Sequence, residues 1–143
     1  MNRLAEILEA KGGDVLEIDA EASVLDAVRT MVEMNVGSLL VSDGGAITGI
    51  VTERDYLRRV TLEGRTEEAP VREIMSSPVI VATPETTVDE CMALMTDRRI
   101  RHVPIVVDAD VVGLISIGDL VKFKSAQQTF EIQFLTNYIT SAG

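Results

Sequence analysis

The sequence has too few cysteines and histidines for several common kinds of functional site. Among its 143 residues there is one cysteine, Cys91, and one histidine, His102. A single cysteine excludes an internal disulfide, and one residue of each type cannot form the usual His/Cys metal cluster. The sequence also lacks the motifs typical of P-loop, dinucleotide-binding and serine hydrolase sites. Because Cys91 falls on the apolar face of a predicted helix, we expect it in the core, and no catalytic residue is predicted.

Aromatic and basic residues are also scarce. Aromatic side chains make up 3% of the sequence, and the net charge is −10. Nucleic acid binding needs a basic face and often stacking side chains, so we expect no nucleic acid partner. A run of about 18 apolar residues, which would predict a membrane span, does not occur. The first residues lack the apolar core of a signal peptide, so the expected location is cytoplasmic.

What the sequence does contain is an internal repeat. Residues 15–57 align without a gap on residues 79–121, a shift of 64 positions. The apolar pattern, one glycine and a final hydroxyl–acid pair recur, with Val24, Ala27, Val28, Met31, Gly49, Thr52 and Asp55 corresponding to Val88, Cys91, Met92, Met95, Gly113, Ser116 and Asp119. Two copies are too few for a solenoid, which needs about three. The repeat therefore predicts one pseudo-twofold module with two similar sites.

Each copy has the pattern of a β-α-β-β-α unit, which makes the predicted fold class α/β (α+β). Helix-spaced apolar residues and capping residues predict long helices after Ser23 and Thr87, the first with Val24, Ala27, Val28, Met31 and Val32 on its buried face. A hairpin is predicted at Asp43-Gly44-Gly45, with its counterpart in strands 103–107 and 111–115. The remaining predicted elements are strands at 15–18 and 79–81, a helix from Thr52 to about Val60, and a helix after Ser116.

The pattern also divides the chain into four segments. These are a first repeat with an N-terminal helix at residues 1–60, a polar linker at 61–70, a second repeat at 71–124 and a helical tail at 125–143. The opening helix carries Leu4, Ile7 and Leu8 on one face and ends at Gly12-Gly13. The tail has no counterpart after the first copy, and its aromatic residues need burial on this domain or on a partner.

Two interpretations fit the pairs Thr52–Asp55 and Ser116–Asp119. As capping boxes, they satisfy the first N–H groups of a helix and have no further role. Each pair, however, follows the last strand of a hairpin, where a helix N-terminus can bind an anion or a nucleotide. Basic residues concentrate near both pairs, namely Arg54, Arg58, Arg59, Arg98, Arg99 and Arg101, followed by His102. This concentration in an acidic chain favours a phosphate-bearing ligand.

A nucleotide suits these residue types. A carboxylate accepts hydrogen bonds from both hydroxyls of a ribose. Hydroxyl and N–H groups at a helix start hold phosphate, and arginine adds a charge-assisted contact. The base needs an apolar slot and backbone edges, which the predicted strands near Val15 and Val81 offer.

The strings G-S-L-L-V…G-I-V-T-E-R-D-Y and R-H-V-P-I-V-V…G-L-I-S-I-G-D-L resemble cystathionine-β-synthase (CBS) domains. The string V-R-E-I-M-S-S-P-V ahead of the second copy is also typical of this family, and the resemblance covers about residues 5–125. It implies a tandem pair that folds as one module and often dimerises. Many such pairs bind AMP, ADP or ATP, some bind NAD or S-adenosylmethionine, and others bind no known ligand.

The resemblance also implies a role for individual residues. Ribose contacts are expected from Asp55 and Asp119, phosphate contacts from Thr52, Arg54, Ser116, Arg101 and His102, and an adenine pocket near Val15, Val81 and Thr83. The first copy departs from the pattern because it has Gly37-Ser38 where the second has Arg101-His102. The two sites are therefore not expected to bind a ligand equally well.

We interpret the chain as a regulatory module without catalytic activity. The expected ligand is AMP, ADP, ATP or NAD, with no obligatory cofactor and no metal, and the expected partners are a second copy of the chain and an effector protein. Two alternatives remain open. One is an interaction or dimerisation module whose hydroxyl–acid pairs serve only as caps, and the other is a nucleotide hydrolase. His102 is either a phosphate contact or an interior histidine.

Overall fold

The computed structural model describes residues 2–127 of the chain. The first of two compact units spans Asp14–Val81, and among the described residues the second joins residues 2–13 to residues 82–127. The predicted tail at 125–143 therefore lies outside the described residues after position 127. In chain order the elements are α1 (Leu4–Lys11), β1 (Glu17–Asp19), α2 (Val24–Met34), β2 (Ser38–Asp43), β3 (Ala46–Thr52), α3 (Glu53–Asp55), a π-helical segment (Tyr56–Leu62), a 3-10 turn (Val71–Glu73), α4 (Val88–Arg98), β4 (His102–Val107), β5 (Asp110–Ser116) and α5 (Ile117–Gln127).

Each unit contains one small sheet built around a hairpin. In the first unit the sheet has the order β1-β2-β3, with β1 parallel to β2 and β2 antiparallel to β3. In the second unit β4 pairs antiparallel with β5. Both hairpins have a register shift at the same place, after Val41 and after Ile105. The two predicted hairpins and the mixed α/β class are confirmed.

The first strand of the second copy is missing, and two prolines explain its loss. The prediction of a strand at 79–81 is wrong, because within residues 2–127 the pairing next to this segment is a single parallel bridge between Ala82 and Ile105. In the first copy, the Leu40 N–H donates to the Leu16 carbonyl and the Ala20 N–H donates to the Ser42 carbonyl. The residues 64 positions later than these two donors are Pro104 and Pro84, which have no N–H to donate. The ladder therefore shrinks to one residue.

The two long helices form as predicted and bury equivalent residues. Ser23 and Thr87 cap α2 and α4 by accepting the backbone N–H three residues on. The buried positions are Val24, Ala27 and Met31 on α2 and Val88, Cys91 and Met95 on α4. Cys91 is fully buried as expected, and burial raises the pKa of its thiol. One prediction is wrong, because the Val32 side chain is 74% exposed.

Each repeat is completed by the segment that precedes the other repeat. Helix α1 packs in the second unit, where Leu4 and Ile7 join the core formed around α4 and the β4–β5 hairpin. In the first unit, Val71 and Ile74 join the core formed around α2 and the β2–β3 hairpin. Assigning the N-terminal helix to residues 1–60 is therefore corrected, since its apolar face is buried against residues 82–127. The other segment boundaries remain a prediction.

Gly49 and Gly113 leave room for the two exchanged segments, which are α1 and the segment around the 3-10 turn. A Cβ on Gly49 would lie 2.5 Å from the Met75 sulfur, and a Cβ on Gly113 would overlap the Leu8 side chain. Leu4, Ile7 and Leu8 have the same spacing as Val71, Ile74 and Met75, at a shift of 67 positions. The two segments therefore occupy equivalent places, each over the glycine of its hairpin.

The polar linker at 61–70 also belongs to the first unit. The carbonyls of Glu67 and Ala69 each accept a hydrogen bond, at 2.9 Å, from the first N–H groups of α2, those of Leu25 and Val24. These bonds satisfy helix donors that would otherwise lack a partner. Within residues 2–127, no helix has both the length and the apolar character to cross a membrane.

The exchange predicts that α1 is essential to the core of the second unit. Leu4→Ala removes a fully buried side chain, so we expect the free energy of unfolding to fall by about 2–5 kcal/mol. Leu62→Ala makes the same change at a side chain that is 81% exposed, and we expect an effect within about 0.5 kcal/mol. Urea unfolding followed by circular dichroism measures both. Equal losses in the two variants would contradict the assignment.

Candidate functional site

The second hydroxyl–acid pair forms a capping box between β5 and α5. The Ser116 N–H donates to Asp119 Oδ2 at 2.8 Å, and the Asp119 N–H donates to Ser116 Oγ at 3.1 Å. The residues between them are Ile117 and Gly118. The predicted cap is thus present, and the Asp119 side chain nevertheless remains 22% exposed. The pair can both start the helix and present a carboxylate to solvent.

A lysine from α1 contacts the same carboxylate. Lys11 Nζ lies 2.5 Å from Asp119 Oδ2 and 2.6 Å from the carbonyl oxygen of Leu114. Lys11 is the last residue of α1, whose position is fixed by the buried side chains of Leu4 and Ile7. The Lys11 side chain is 38% exposed. Residues 108 positions apart therefore build one polar site, which no local pattern in the sequence predicted.

The contacts of Asp119 favour its ionised form. Burial opposes ionisation, but the hydrogen bond from Lys11 and the bond from the Ser116 N–H outweigh it, so the pKa of Asp119 is below its ordinary value. The carboxylate is therefore charged at neutral pH, which suits it to accept hydrogen bonds from ligand hydroxyl groups.

Arg101 and His102 lie beside this capping box. His102 begins β4 and is the register partner of Ser116 across the hairpin. The Arg101 carbonyl accepts a hydrogen bond from the Ile117 N–H at 2.8 Å, and the Arg101 side chain is exposed. His102 is half-buried. The structure thus brings together Ser116, Asp119, Arg101 and His102, all of which the sequence placed at one site.

The residues predicted near adenine are more scattered. Thr83 belongs to the second unit, but the Ala82–Ile105 bridge places it beside Val106, four positions along β4 from His102. Val81 is the last residue of the first unit and is 45% exposed. Val15 is half-buried in the first unit, next to Leu16, whose carbonyl binds the Leu40 N–H near the start of β2. The described contacts therefore leave the adenine pocket a prediction.

The first hydroxyl–acid pair has a different environment. Thr52 and Asp55 also form a capping box, with the Thr52 N–H 2.9 Å from Asp55 Oδ2. The second carboxylate oxygen accepts a hydrogen bond from Ser76 Oγ at 3.3 Å and lies 4.0 Å from Arg58 Nη2. Asp55 is only 5% exposed. Its carboxylate is thus used within the protein, and the two copies do not present similar sites.

The rest of the first site is also less suited to a ligand than expected. Arg54 is exposed on α3, but α3 has only three residues before the π-helical segment begins. The Glu53 N–H donates to the Gly37 carbonyl at 3.1 Å, the bond equivalent to Ile117–Arg101 in the second copy. Gly37 and Ser38 bring no basic side chain to this position. The difference that the sequence indicated at 37–38 is therefore accompanied by burial of the carboxylate.

Sequence analysis missed two residues that contact the aspartates, Lys11 and Ser76. Both lie in the exchanged segments that complete the other repeat, so they are distant in sequence from the carboxylates they bind. The only signal for them is the shared spacing of Leu4-Ile7-Leu8 and Val71-Ile74-Met75, which relates the two segments to each other. That spacing predicts that the two segments occupy equivalent positions, but it does not predict which polar side chain contacts each aspartate.

Two cavities lie elsewhere in the first unit. One, of about 480 Å³, is lined by Val28, Met31, Val32, Asn35, Val36, Gly37, Glu53, Tyr56 and Leu57. The other, of about 630 Å³, is lined by residues 63–66, 68, 69 and 73. Neither is lined by Asp55 or Asp119. In the part of the chain that the structure describes, no group of three histidine, cysteine or acidic residues is arranged to hold a metal ion.

The lowered pKa of Asp119 predicts a pH-dependent contribution to stability. A carboxyl whose pKa is lower in the folded state stabilises that state above its unfolded pKa, which is about 3.9. That contribution disappears as the pH falls through the folded pKa. Asp119→Asn removes the charge, so we expect it to be less stable than the wild type at pH 7. Urea midpoints of the two proteins should converge as the pH falls below about 4. A constant difference across this range would contradict the charged pair.

Comparison with known proteins agrees with this architecture. A family model described as CBS domain matches residues 9–61 and 71–126. The CBS domain-containing protein CBSX3, mitochondrial, of Arabidopsis thaliana is 40% identical over 146 residues, which cover 95% of this chain and 71% of the relative. The solved structure of a signal-transduction protein with CBS domains from Burkholderia ambifaria is 46% identical and has a TM-score of 0.86, covering 89% of this chain and 96% of that one.

A more distant neighbour extends the structural comparison. The CBS domain pair of protein MJ0100, solved in complex with 5'-methylthioadenosine and S-adenosylmethionine, has a TM-score of 0.78 at 23% identity, covering 89% of this chain and 98% of that one. At that identity it supports the fold alone. The family match to both repeats and the relatives at 40% and 46% identity establish the family of this chain. The chain belongs to the CBS domain family, and its two repeats form a CBS pair, which is a regulatory module.

Proposed function

We propose that this CBS pair binds an adenosine nucleotide at the start of α5 and acts as a sensor without catalytic activity of its own. One observation carries the proposal: an ionised, partly exposed carboxylate, Asp119, lies at the start of an eleven-residue helix and beside basic residues. Lys11 contacts it directly, and Arg101 and His102 lie across the hairpin from Ser116. Negative and positive groups in this arrangement match a sugar and a phosphate respectively.

Each of these residues has a proposed role. Asp119 accepts hydrogen bonds from the ribose hydroxyls, as acidic residues do in other nucleotide-binding folds. Ser116 lies at the start of α5, at the positive end of the helix dipole, which favours phosphate. Arg101 and His102 add charge or hydrogen-bond donors to the same phosphate. Of the residues predicted near adenine, we propose Thr83 for this site, because it belongs to the same unit. Val15 and Val81 belong to the first unit and stay predicted adenine residues there.

The adenosine half of the ligand is the part that these residues can read. AMP, ADP, ATP and NAD all contain it, and so do the two ligands bound by MJ0100. The ligands of that neighbour are compatible with an adenosine compound here, but at 23% identity the neighbour supports only the fold. We propose a phosphate-bearing adenosine compound, because Lys11 contacts Asp119 and because Arg101 and His102 lie across the hairpin from the capping box, in a chain whose net charge is −10.

We assign the principal site to the second unit and not to the first. Binding a ribose at Asp55 requires opening a carboxylate that is 5% exposed and already accepts bonds from Thr52 and Ser76. Leaving those donors without a partner is costly. Thr52, Arg54 and Asp55 would therefore form a weaker second site, occupied only if this part of the chain rearranges.

We propose that ligand binding is signalled through a homodimer of this chain and an effector protein. An apolar groove of about 480 Å³ lies between α2 and the segment after β3, with Val32 74% and Leu57 59% exposed. The same groove supports the alternative function, a dimerisation module with no functional ligand. Cytoplasmic location is also a proposal, since the relative from Arabidopsis thaliana is named as mitochondrial.

The proposal predicts that Asp119→Ala weakens nucleotide binding more than stability alone explains. Removing a charged acceptor of the ribose hydroxyls should raise the Kd for AMP about ten- to a hundredfold in isothermal calorimetry. The matched control is Glu90→Ala, which breaks the Thr87–Glu90 capping box of α4 in the same unit. Both variants lose a cap, so both melting temperatures should fall, but only Asp119→Ala should lose affinity.

The outcomes separate the candidate functions. Equal loss of affinity in Asp119→Ala and Glu90→Ala would show that Asp119 acts only as a cap. Absence of heat with AMP, ATP and NAD, in a sample shown to be folded, would favour the dimerisation module. Turnover of ATP that disappears in Asp119→Ala would favour the hydrolase instead.

A further inference from the structure

We propose that Lys11 makes the site in the second unit selective for adenosine ligands that carry a phosphate over adenosine itself. The inference rests on the proposed function, because it concerns the same carboxylate. It goes further by identifying an internal competitor for that carboxylate and a ligand class that can displace it. Lys11, on α1, is the residue that decides between phosphorylated and unphosphorylated ligands.

Lys11 occupies the acceptor that a ribose needs. Asp119 Oδ2 already accepts the Ser116 N–H at 2.8 Å and the Lys11 ammonium at 2.5 Å. A carboxylate offers about four lone-pair positions over its two oxygens. A ribose diol that binds both oxygens therefore meets the ammonium at Oδ2. A diol can contact both oxygens only if the ammonium moves away from Oδ2.

Moving the ammonium is unfavourable when the ligand is neutral. The Lys11–Asp119 bond joins two charged groups, and such bonds are about twice as strong as neutral ones. Replacing it with hydrogen bonds from hydroxyl groups leaves the ammonium with the Leu114 carbonyl, 2.6 Å away, and with solvent. An adenosine without phosphate offers no anion in exchange.

A phosphate on the ligand removes this penalty. The lysine ammonium is a compact charge with three donors on a flexible stem, so it can turn from Asp119 to a phosphate at the start of α5. Its backbone stays in place, since α1 is held by the buried Leu4 and Ile7. Arg101 and His102 lie in the chain at the same end of the hairpin. Lys11 thus replaces its contact with the Asp119 carboxylate by a contact with the phosphate, and this replacement requires a phosphorylated ligand.

The test compares AMP with adenosine in the wild type and in Lys11→Met, with Kd measured by isothermal calorimetry. Methionine keeps most of the apolar stem and removes the ammonium. We expect the wild type to prefer AMP, and we expect that preference to fall about tenfold or more in the variant. Adenosine itself should bind more tightly to Lys11→Met, because its competitor is gone. Lys11→Arg keeps a charge and should retain a preference for AMP.

The matched control is Lys124→Met. Lys124 is also in the second unit and forms a 2.6 Å ion pair with Asp89, away from the capping box of α5. Its removal should leave the ratio of the two dissociation constants unchanged. Lys11 and Lys124 variants thus lose the same kind of interaction, and only one of them involves the site.

Each other outcome overturns a defined statement. An unchanged AMP preference in Lys11→Met overturns the role of Lys11. The proposed function still stands in that case, provided that the wild type binds AMP. Equal weakening of AMP and adenosine would assign Lys11 a purely structural role and overturn the selectivity. Failure of the folded wild type to bind either ligand would overturn the proposed function, and the selectivity with it.

Discussion

The start of the helix after each hairpin depends on one carboxylate, and the fate of that carboxylate distinguishes the two halves of this CBS pair. Asp55 and Asp119 both receive the N–H of the residue that caps their helix. At Asp55 the remaining oxygen is bound by Ser76 and buried. At Asp119 the partner is a lysine on a partly exposed surface. A cap whose carboxylate has both oxygens bonded inside the protein is a structural element. A cap whose carboxylate is partly exposed beside a basic side chain can also bind a ligand.

The partner of each carboxylate comes from the segment that precedes the other repeat. Exchange of α1 and of the segment around the 3-10 turn places Leu8 and Met75 over the hairpin glycines, and it also delivers Lys11 and Ser76 to the aspartates. The apolar contacts of these segments are equivalent, but their polar contacts are not. The apolar exchange therefore maintains the fold in both units, while the polar residues that it carries can differ in function between them.

The sequence was sufficient for the elements whose signals are local. Val24, Ala27 and Met31 predicted α2, the hydroxyl–acid pairs predicted the caps, and Asp43-Gly44-Gly45 predicted the hairpin. Failures came where contacts distant in sequence decide the outcome. Pro84 and Pro104 have no N–H to donate, so the strand predicted at 79–81 does not form, and this follows only when the hydrogen bonds of the two repeats are compared. Lys11 contacts Asp119 across 108 positions. Val32 follows the helical period, but its side chain is 74% exposed.

The most direct test is to locate the site of AMP binding on the chain. In an amide NMR titration of the ¹⁵N-labelled protein, the account predicts saturable shift changes centred on the backbone of Ser116–Asp119 and on His102 and Lys11. Changes centred instead on Thr52–Asp55, or no saturable changes in a folded sample, would contradict the claim that the exposed carboxylate of the second unit is the nucleotide site.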